Sequence, residues 1–288
     1  MRQRLISAAV LVPVVVIVFL AGQPWLTLGI ALLGAVAAFE TSRLVAQAGL
    51  QSDAWLAVVA APAIVISAPV FMNPSDLGAG WSLIVGTMSL VVLLAATVSL
   101  RHGMPSDGFR SWAGTTIAAL YPSMLVFVGL LAAGIPGLPN AAIAGNSLET
   151  GRVWLLVLTL TVWSLDTFAY VTGRFLPRGH FMNHISPKKT WSGAVGGTVA
   201  AVVVCASLFE VVGQGALLGA LFGVLIALSA QAGDLVQSML KRAAGAKDSG
   251  TMIPGHGGVL DRVDSFLFAG PAMLLSLVAL QYASLGRL

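Results

Sequence analysis

Apolar positions in this chain fall in long, nearly uninterrupted blocks instead of the short alternations of a water-facing surface. The blocks cover roughly 5–22, 25–39, 54–71, 81–100, 115–134, 153–172, 193–212, 215–233 and 266–285. Most reach the ~20 residues that a spanning helix needs. The pattern therefore predicts an all-α, polytopic integral membrane protein with nine transmembrane helices. The 25–39 block is short and closes at Glu40. The third and fifth blocks carry Pro62, Pro69 and Pro122, which spanning helices tolerate where neighbours satisfy the freed carbonyls.

Composition supports the same solvent. Apolar residues make up 57% and charged residues 9%, against about 25% charged in a water-soluble domain, and the mean hydropathy is +0.92. With the N-terminus cytoplasmic, Arg2, Arg4, Arg43, Arg101, Arg110, Arg174, Arg178, Lys188, Lys189, Lys241, Arg242, Lys247 and Arg262 all fall inside, and only Arg152 and Arg287 outside. Retained basic loops mark the cytoplasmic side, so this asymmetry implies an odd number of crossings and an external C-terminus. Arg2 and Arg4 precede an apolar run, but no small-residue cleavage site follows at GQPW, which reads as a retained first helix. The lone Cys205, within the seventh block, reads as a packing residue. The pI near 9.6 reflects the positive-inside loops and favours anionic lipid headgroups over nucleic acid.

Polar residues capable of chemistry are concentrated late in the chain. Residues 1–150 read as a scaffold of about five helices, and 151–288 as a catalytic region of about four, with long polar loops at 173–192 and 234–265. The richest stretch, SMLKRAAGAKDSGTMIPGHGGVLDRVDS, runs from Ser238 to Ser265. Asp234, Ser238, Lys241 and Arg242 recur at helical spacing and share one face. GAKDSG then breaks the helix, and Pro254, Gly255, Gly257 and Gly258 let a backbone turn sharply and approach a ligand. Asp261 and Asp264 follow at i and i+3, a spacing that lets both carboxylates face one site.

Hard oxygen ligands, fixed cations and glycines, without zinc-type Cys or His spacing, suit Mg²⁺ and polyphosphate. Asp234 and Asp261, flanking the loop at the ends of consecutive helices, form the best metal pair. A second constellation runs through LDTFAYVTGRFLPRGH and HISPKKTWSG. Asp166 inside an apolar span costs roughly 2.5–3.5 kcal/mol on insertion scales, so it should face protein or a watery cavity. Tyr170 follows one turn later. Ser186, Lys188, Lys189 and Thr190 supply hydroxyls and ammoniums suited to phosphate. Glu40 and Arg43 read as a surface pair at a helix end, and His102, His180 and His184 as ordinary loop residues.

In order and spacing, Ser238, Lys241, Arg242, Lys247, Asp248, Ser249, Gly250, Pro254, Gly255, His256, Gly257, Gly258, Leu260, Asp261, Arg262 and Asp264 resemble the signature of phosphatidate cytidylyltransferases, also called CDP-diacylglycerol synthases. The D..AY..GR and SPKKTWSG segments are similar to that family's as well. The resemblance is specific over roughly 160–265; the N-terminal half matches only in hydropathy. It implies conversion of CTP and phosphatidate to CDP-diacylglycerol and pyrophosphate, dependent on Mg²⁺ and helped by a second, monovalent cation such as K⁺, in a homodimer; the basic loops put this site at the cytoplasmic face of the inner membrane, among membrane lipids. Lys241, Arg242, Lys247 and Arg262 are then expected on phosphates. Asp248, His256 and Asp264 order the loop. Asp166, Ser186, Lys188 and Lys189 complete a cavity that meets the lipid headgroup.

Two other classes fit less well. A CDP-alcohol phosphotransferase would carry a DG..AR..G...D...D run, which is absent. A secondary transporter would bury a carboxylate such as Asp166 but would gather its polar groups at the membrane midplane.

Overall fold

The computed structural model describes residues 2–71, 77–136, 138–143, 148–176, 178–255 and 257–284. Among them are the helices α1 (Arg2–Ala21), α2 (Trp25–Gln47), α3 (Ala54–Phe71), α4 (Leu77–Ser99), α5 (Pro105–Ser123), α6 (Leu125–Ala133), α7 (Thr150–Phe175), α8 (Trp191–Val211), α9 (Ala216–Ala243) and α10 (Leu260–Ser284), and no strand. Seven helical spans among the described residues are long and apolar enough to cross a membrane, with α5 and α6 counted as the single span Pro105–Ala133. Shorter apolar stretches occupy Ala9–Ala21 in α1 and Ala54–Ser67 in α3. Val14, Leu93, Val203 and Leu221 are exposed part-way along their helices. Such outward apolar surface is at home in lipid and unfavourable in water, as in a polytopic membrane protein.

Several helices extend beyond their apolar blocks, α2 and α5 among them. The second continues past residue 39 to Gln47, so Glu40 and Arg43 lie within α2, and Glu40 is 1% exposed. The surface pair expected there is not formed; Arg43 instead stacks over the Phe39 ring at 5.9 Å. Thr41 and Ser42 donate to the carbonyls of Ala37 and Ala38 one turn earlier, at 2.7 and 2.9 Å. Back-bonding of this kind satisfies hydroxyls inside a helix, so the polar ETS triplet stays helical and buried. The fifth helix starts at Pro105, a favoured first helical position, ahead of the apolar block at 115, and breaks beside Pro122 into α5 and α6.

The chain forms two compact units, Met1–Pro136 with Leu240–Val263, and Gly137–Met239 with Asp264–Leu288. In the first, α2, α3, α5 and α6 pack around Leu44, Ile64, Leu130 and Leu131. The carboxylate of Asp53, before α3, is paired with Arg101 beyond the end of α4. The Asp53 backbone N–H donates to Thr115 Oγ1 of α5 at 2.9 Å. In the second unit, Trp154, Phe209 and Phe222 from α7, α8 and α9 form an aromatic core with centroid spacings of 5.2 and 4.9 Å. Glycines on α8 let it lie close against α7: a Cβ at Gly197 would sit 2.7 Å from the Leu165 carbonyl oxygen and 2.9 Å from Ala169 Cβ.

Gly197→Ala should therefore destabilise the detergent-solubilised protein by about 1–3 kcal/mol through overpacking. Gly86→Ala on α4, where an added Cβ meets nothing within 4 Å, should be neutral or stabilising by up to about 1 kcal/mol. Thermal unfolding of the two variants beside the parent checks both.

Candidate active site

The residues around the glycine-rich loop belong to the first unit. Helix α9 ends at Ala243 with Gly245 in a left-handed conformation (φ 65°). The Ala246 N–H donates to Lys241 O at 2.8 Å and the Gly245 N–H to Arg242 O at 3.0 Å. This double closure is the Schellman arrangement, which stops a helix at a glycine. Arg242 Nη1 adds a bond to Ala246 O at 3.1 Å. Beyond the turn, the Ile253 N–H donates to Gly257 O at 2.9 Å, pinching the loop at Gly255 (φ 78°) and Gly257 (φ 85°).

Asp261, in the first turn of α10, gathers this segment. Its Oδ1 accepts from Lys241 Nζ at 2.7 Å, and its Oδ2 from the N–H groups of Ser249 at 2.8 Å and Gly258 at 3.1 Å. The Ser249 hydroxyl lies 3.0 Å from the same oxygen. The Lys241 and Asp261 side chains are 14% and 8% exposed, so this pair works in a poorly solvated setting where each charge needs its partner.

Glu40, read from sequence as a surface residue, is part of the same cluster. Its carboxylate accepts from the Val259 N–H at 3.0 Å, the Leu260 N–H at 2.8 Å and the Ser249 hydroxyl at 2.9 Å. The first N–H groups of a helix have no partner within it, and a carboxylate from α2 supplies one for α10. The glycines serve this packing. A Cβ at Gly258 would collide with Ser249 Oγ and both Glu40 oxygens, one at Gly250 would collide with Glu40, and one at Gly257 would sit 2.8 Å from Asp261 Oδ2. The close approach expected toward a ligand is thus also an approach to the protein's own carboxylates. Gly257, Lys247, Asp248 and Arg262 line a cavity of about 580 Å³.

In the second unit, Asp166, Tyr170, Lys188, Lys189, Thr190 and Asp234 line another cavity, of about 320 Å³. Leu165, Ala169, Phe181 and Ala194 give it apolar walls, and Arg174 and Gln231 also border it. Lys189 Nζ and Asp234 Oδ2 are 2.5 Å apart. Ser238, one turn after Asp234 on α9, donates to Asp234 Oδ1 at 3.4 Å. Tyr170 is exposed and accepts from Arg174 Nη1 at 2.6 Å. Thr190 is the N-cap of α8, its Oγ1 accepting from the Gly193 N–H at 3.1 Å. Ser186 closes a turn in which its carbonyl accepts from the Lys189 N–H at 3.2 Å. Asp264 Oδ1 accepts from the adjacent Ser265 N–H at 2.7 Å. His256 lies outside the described residues.

No group of three or more Asp, Glu, His or Cys is assembled for a metal among the described residues. Asp234 and Asp261 nevertheless fit a hard cation chemically, because each already holds a positive charge, the ammonium of Lys189 or Lys241, against a carboxylate oxygen.

The sequence profile of the Cytidylyltransferase family matches residues 2–280. The chain belongs to that family. Its relatives include the phosphatidate cytidylyltransferase of Bacillus subtilis (strain 168), 30% identical over 285 residues that cover 94% of this chain and 95% of the relative. The enzyme of that name from Brucella abortus biovar 1 is 41% identical over 150 residues, 51% of this chain and 54% of the relative. The one from a Synechocystis species is 40% identical over 138 residues, 47% and 46% of the two chains. In these last two matches the chain spans about half the length of the relative.

Two residues at this site were not assigned roles from sequence: Glu40, and Ser249, which links it to Asp261. A carboxylate following the apolar run of α2 was the available signal, the same argument from burial that singled out Asp166. Replacing Lys241 by Met should destabilise the protein by about 3 kcal/mol, because a buried carboxylate loses its cation. Adding Asp261→Asn should recover part of that loss, and a double-mutant cycle of unfolding measurements reads the coupling.

Proposed function

We propose that this chain is a phosphatidate cytidylyltransferase, joining CTP and phosphatidate to give CDP-diacylglycerol and pyrophosphate. The reading is carried by the loop at 246–259 and the start of α10, where Lys247, Asp248 and Arg262 border one cavity and Asp261 sits against Gly257 on its wall. Family membership and the activity for which the Bacillus relative is named, matched along nearly its whole length, support it.

In this reaction an oxygen of the phosphatidate phosphate bonds to the α-phosphorus of CTP as the bond from that phosphorus to the β-phosphate bridging oxygen breaks. The electron pair leaves with pyrophosphate. The lipid brings its own nucleophile, so no activated serine or cysteine is needed, and the protein's task is alignment and charge neutralisation. Lys247 and Arg262 serve the CTP polyphosphate, with Lys241 and Arg242 at the adjoining end of α9. Lys188 and Lys189, among the apolar walls of the second cavity, suit a headgroup phosphate with acyl chains attached. Mg²⁺ would offset the charge that gathers on the phosphates; Asp261 in the first unit and Asp234 in the second are each proposed as a carboxylate for it. A monovalent cation such as K⁺ belongs to the same proposal, and a homodimer to the resemblance alone.

We assign the chain to the cytoplasmic membrane, with nine crossings, the N-terminus and site on the cytoplasmic face, and the C-terminus outside. The distribution of Lys and Arg supports this orientation. So do contacts within the first unit: Ser7, near the start of α1, donates to Pro254 O at 2.9 Å, and Glu40, late in α2, accepts from Ser249, Val259 and Leu260. An N-terminal start, a second-helix end and the loop must share one side in that topology.

Purified protein given radiolabelled CTP and phosphatidate should release pyrophosphate only when both substrates and Mg²⁺ are present. Asp261→Asn should abolish turnover at any Mg²⁺ concentration. Lys247→Ala should raise the KM for CTP, and Lys189→Ala that for phosphatidate, each by roughly ten- to a hundredfold, as expected for loss of a charge-assisted bond. Release without phosphatidate, or full activity in Asp261→Asn, would sink the reading.

A further inference from the structure

We propose that Glu40 is a positioning residue for the reaction, acting through Ser249 and the first peptides of α10 to hold the Asp261 carboxylate in place; this rests on the function proposed above. The observations all lie within one unit. Glu40 is 1% exposed and sits in a helix more than two hundred positions away in sequence from the loop it binds. Its three donors, the Ser249 hydroxyl and the N–H groups of Val259 and Leu260, are interleaved with those of Asp261, which are the N–H groups of Ser249 and Gly258 and the same hydroxyl. The two carboxylates therefore grip the same two segments of the loop, at 249 and at 258–260.

Ser249 has a single hydroxyl proton and two carboxylate oxygens within 3.0 Å. Donation to Glu40 ties the Ser249 side chain to α2 while the Ser249 N–H stays on Asp261 Oδ2. A glutamine at position 40 would keep the volume but turn an amide NH₂ toward backbone donors that need an acceptor. Gly250 and Gly258 give the carboxylate its room, so the glycine motif and Glu40 form one device, with half of it in the N-terminal helices.

The test compares Glu40→Gln, Glu40→Asp and Ser249→Ala with the parent in detergent. Three quantities are read: amide hydrogen exchange over 246–262 in metal-free, substrate-free protein; the rise in melting temperature on adding MgCl₂ alone; and the kcat and KM values for CTP and phosphatidate, corrected for folded protein. Glu40→Gln should speed exchange at Ser249, Gly258, Val259 and Leu260 at least tenfold, reduce the MgCl₂ stabilisation, and lower kcat by about ten- to a hundredfold, with the phosphatidate KM within twofold. That range corresponds to one or two lost bonds to a charged group. Glu40→Asp, which keeps the charge, should recover part of each effect, and Ser249→Ala should reproduce a smaller version. Unchanged exchange and kcat in Glu40→Gln would overturn the proposal. So would a loss of activity that only follows the folded fraction, or, if Glu40→Gln does not fold, parental exchange and kcat in Ser249→Ala. Should the parent itself turn over no CTP, the proposed function fails while the exchange and MgCl₂ measurements still decide the role of Glu40.

Discussion

The local structure of the candidate site depends on satisfying the start of α10 in a chain whose surroundings offer little water. The opening N–H groups of any helix lack intrahelical partners, and away from water an unsatisfied peptide group costs several kcal/mol. Here the Glu40 carboxylate accepts two of them and the Ser249 hydroxyl besides. Its negative charge also complements the positive end of the α10 dipole. Burying a carboxylate is itself unfavourable unless its oxygens are bonded, and three donors supply that compensation. The glycines at 250 and 258 follow from the same requirement, since a side chain at either would occupy the space of the carboxylate.

Three other carboxylates are held by ion pairs. Asp261 has Lys241, Asp234 has Lys189, and Asp53 has Arg101. The first two pairs belong to motif segments, and the third ties the α2–α3 turn to the end of α4. Pairs of this kind contribute little net stability, because desolvation offsets much of the attraction, but removing one partner is costly. In the proposed reaction they have a second use. Lysines held against carboxylates are oriented before the proposed anionic substrates arrive, so less reorganisation would accompany phosphoryl chemistry.

The two cavities differ in chemistry, as the proposed nucleotide and phospholipid substrates do. One is bordered by glycines, Lys247, Asp248 and Arg262, suited to a polyphosphate that needs backbone room and cations. The other mixes Lys188, Lys189 and Asp234 with Leu165, Ala169 and Phe181, suited to a headgroup that continues into hydrocarbon. Membership of the cytidylyltransferase family, whose profile spans 2–280, is consistent with both demands being met in one chain.

Apolar block length alone determined that the chain is helical and built for lipid, because a spanning helix needs a continuous apolar run and its backbone bonds close within the segment. Local rules also read the end of α9 at the GAKDSG turn, where a glycine closes the helix, and the order of acids, cations and glycines that carries the family resemblance. Helix ends were less legible. Glu40, Thr41 and Ser42 looked like a terminus, yet buried hydroxyls can bond back to their own helix and the carboxylate found donors elsewhere. Only tertiary structure decided that Glu40 is interior, that Lys241 meets Asp261 and Lys189 meets Asp234, and that Gly250 and Gly258 make room for a carboxylate of α2. Each of these is a contact between residues distant in sequence, and periodicity and spacing carry information only along the chain.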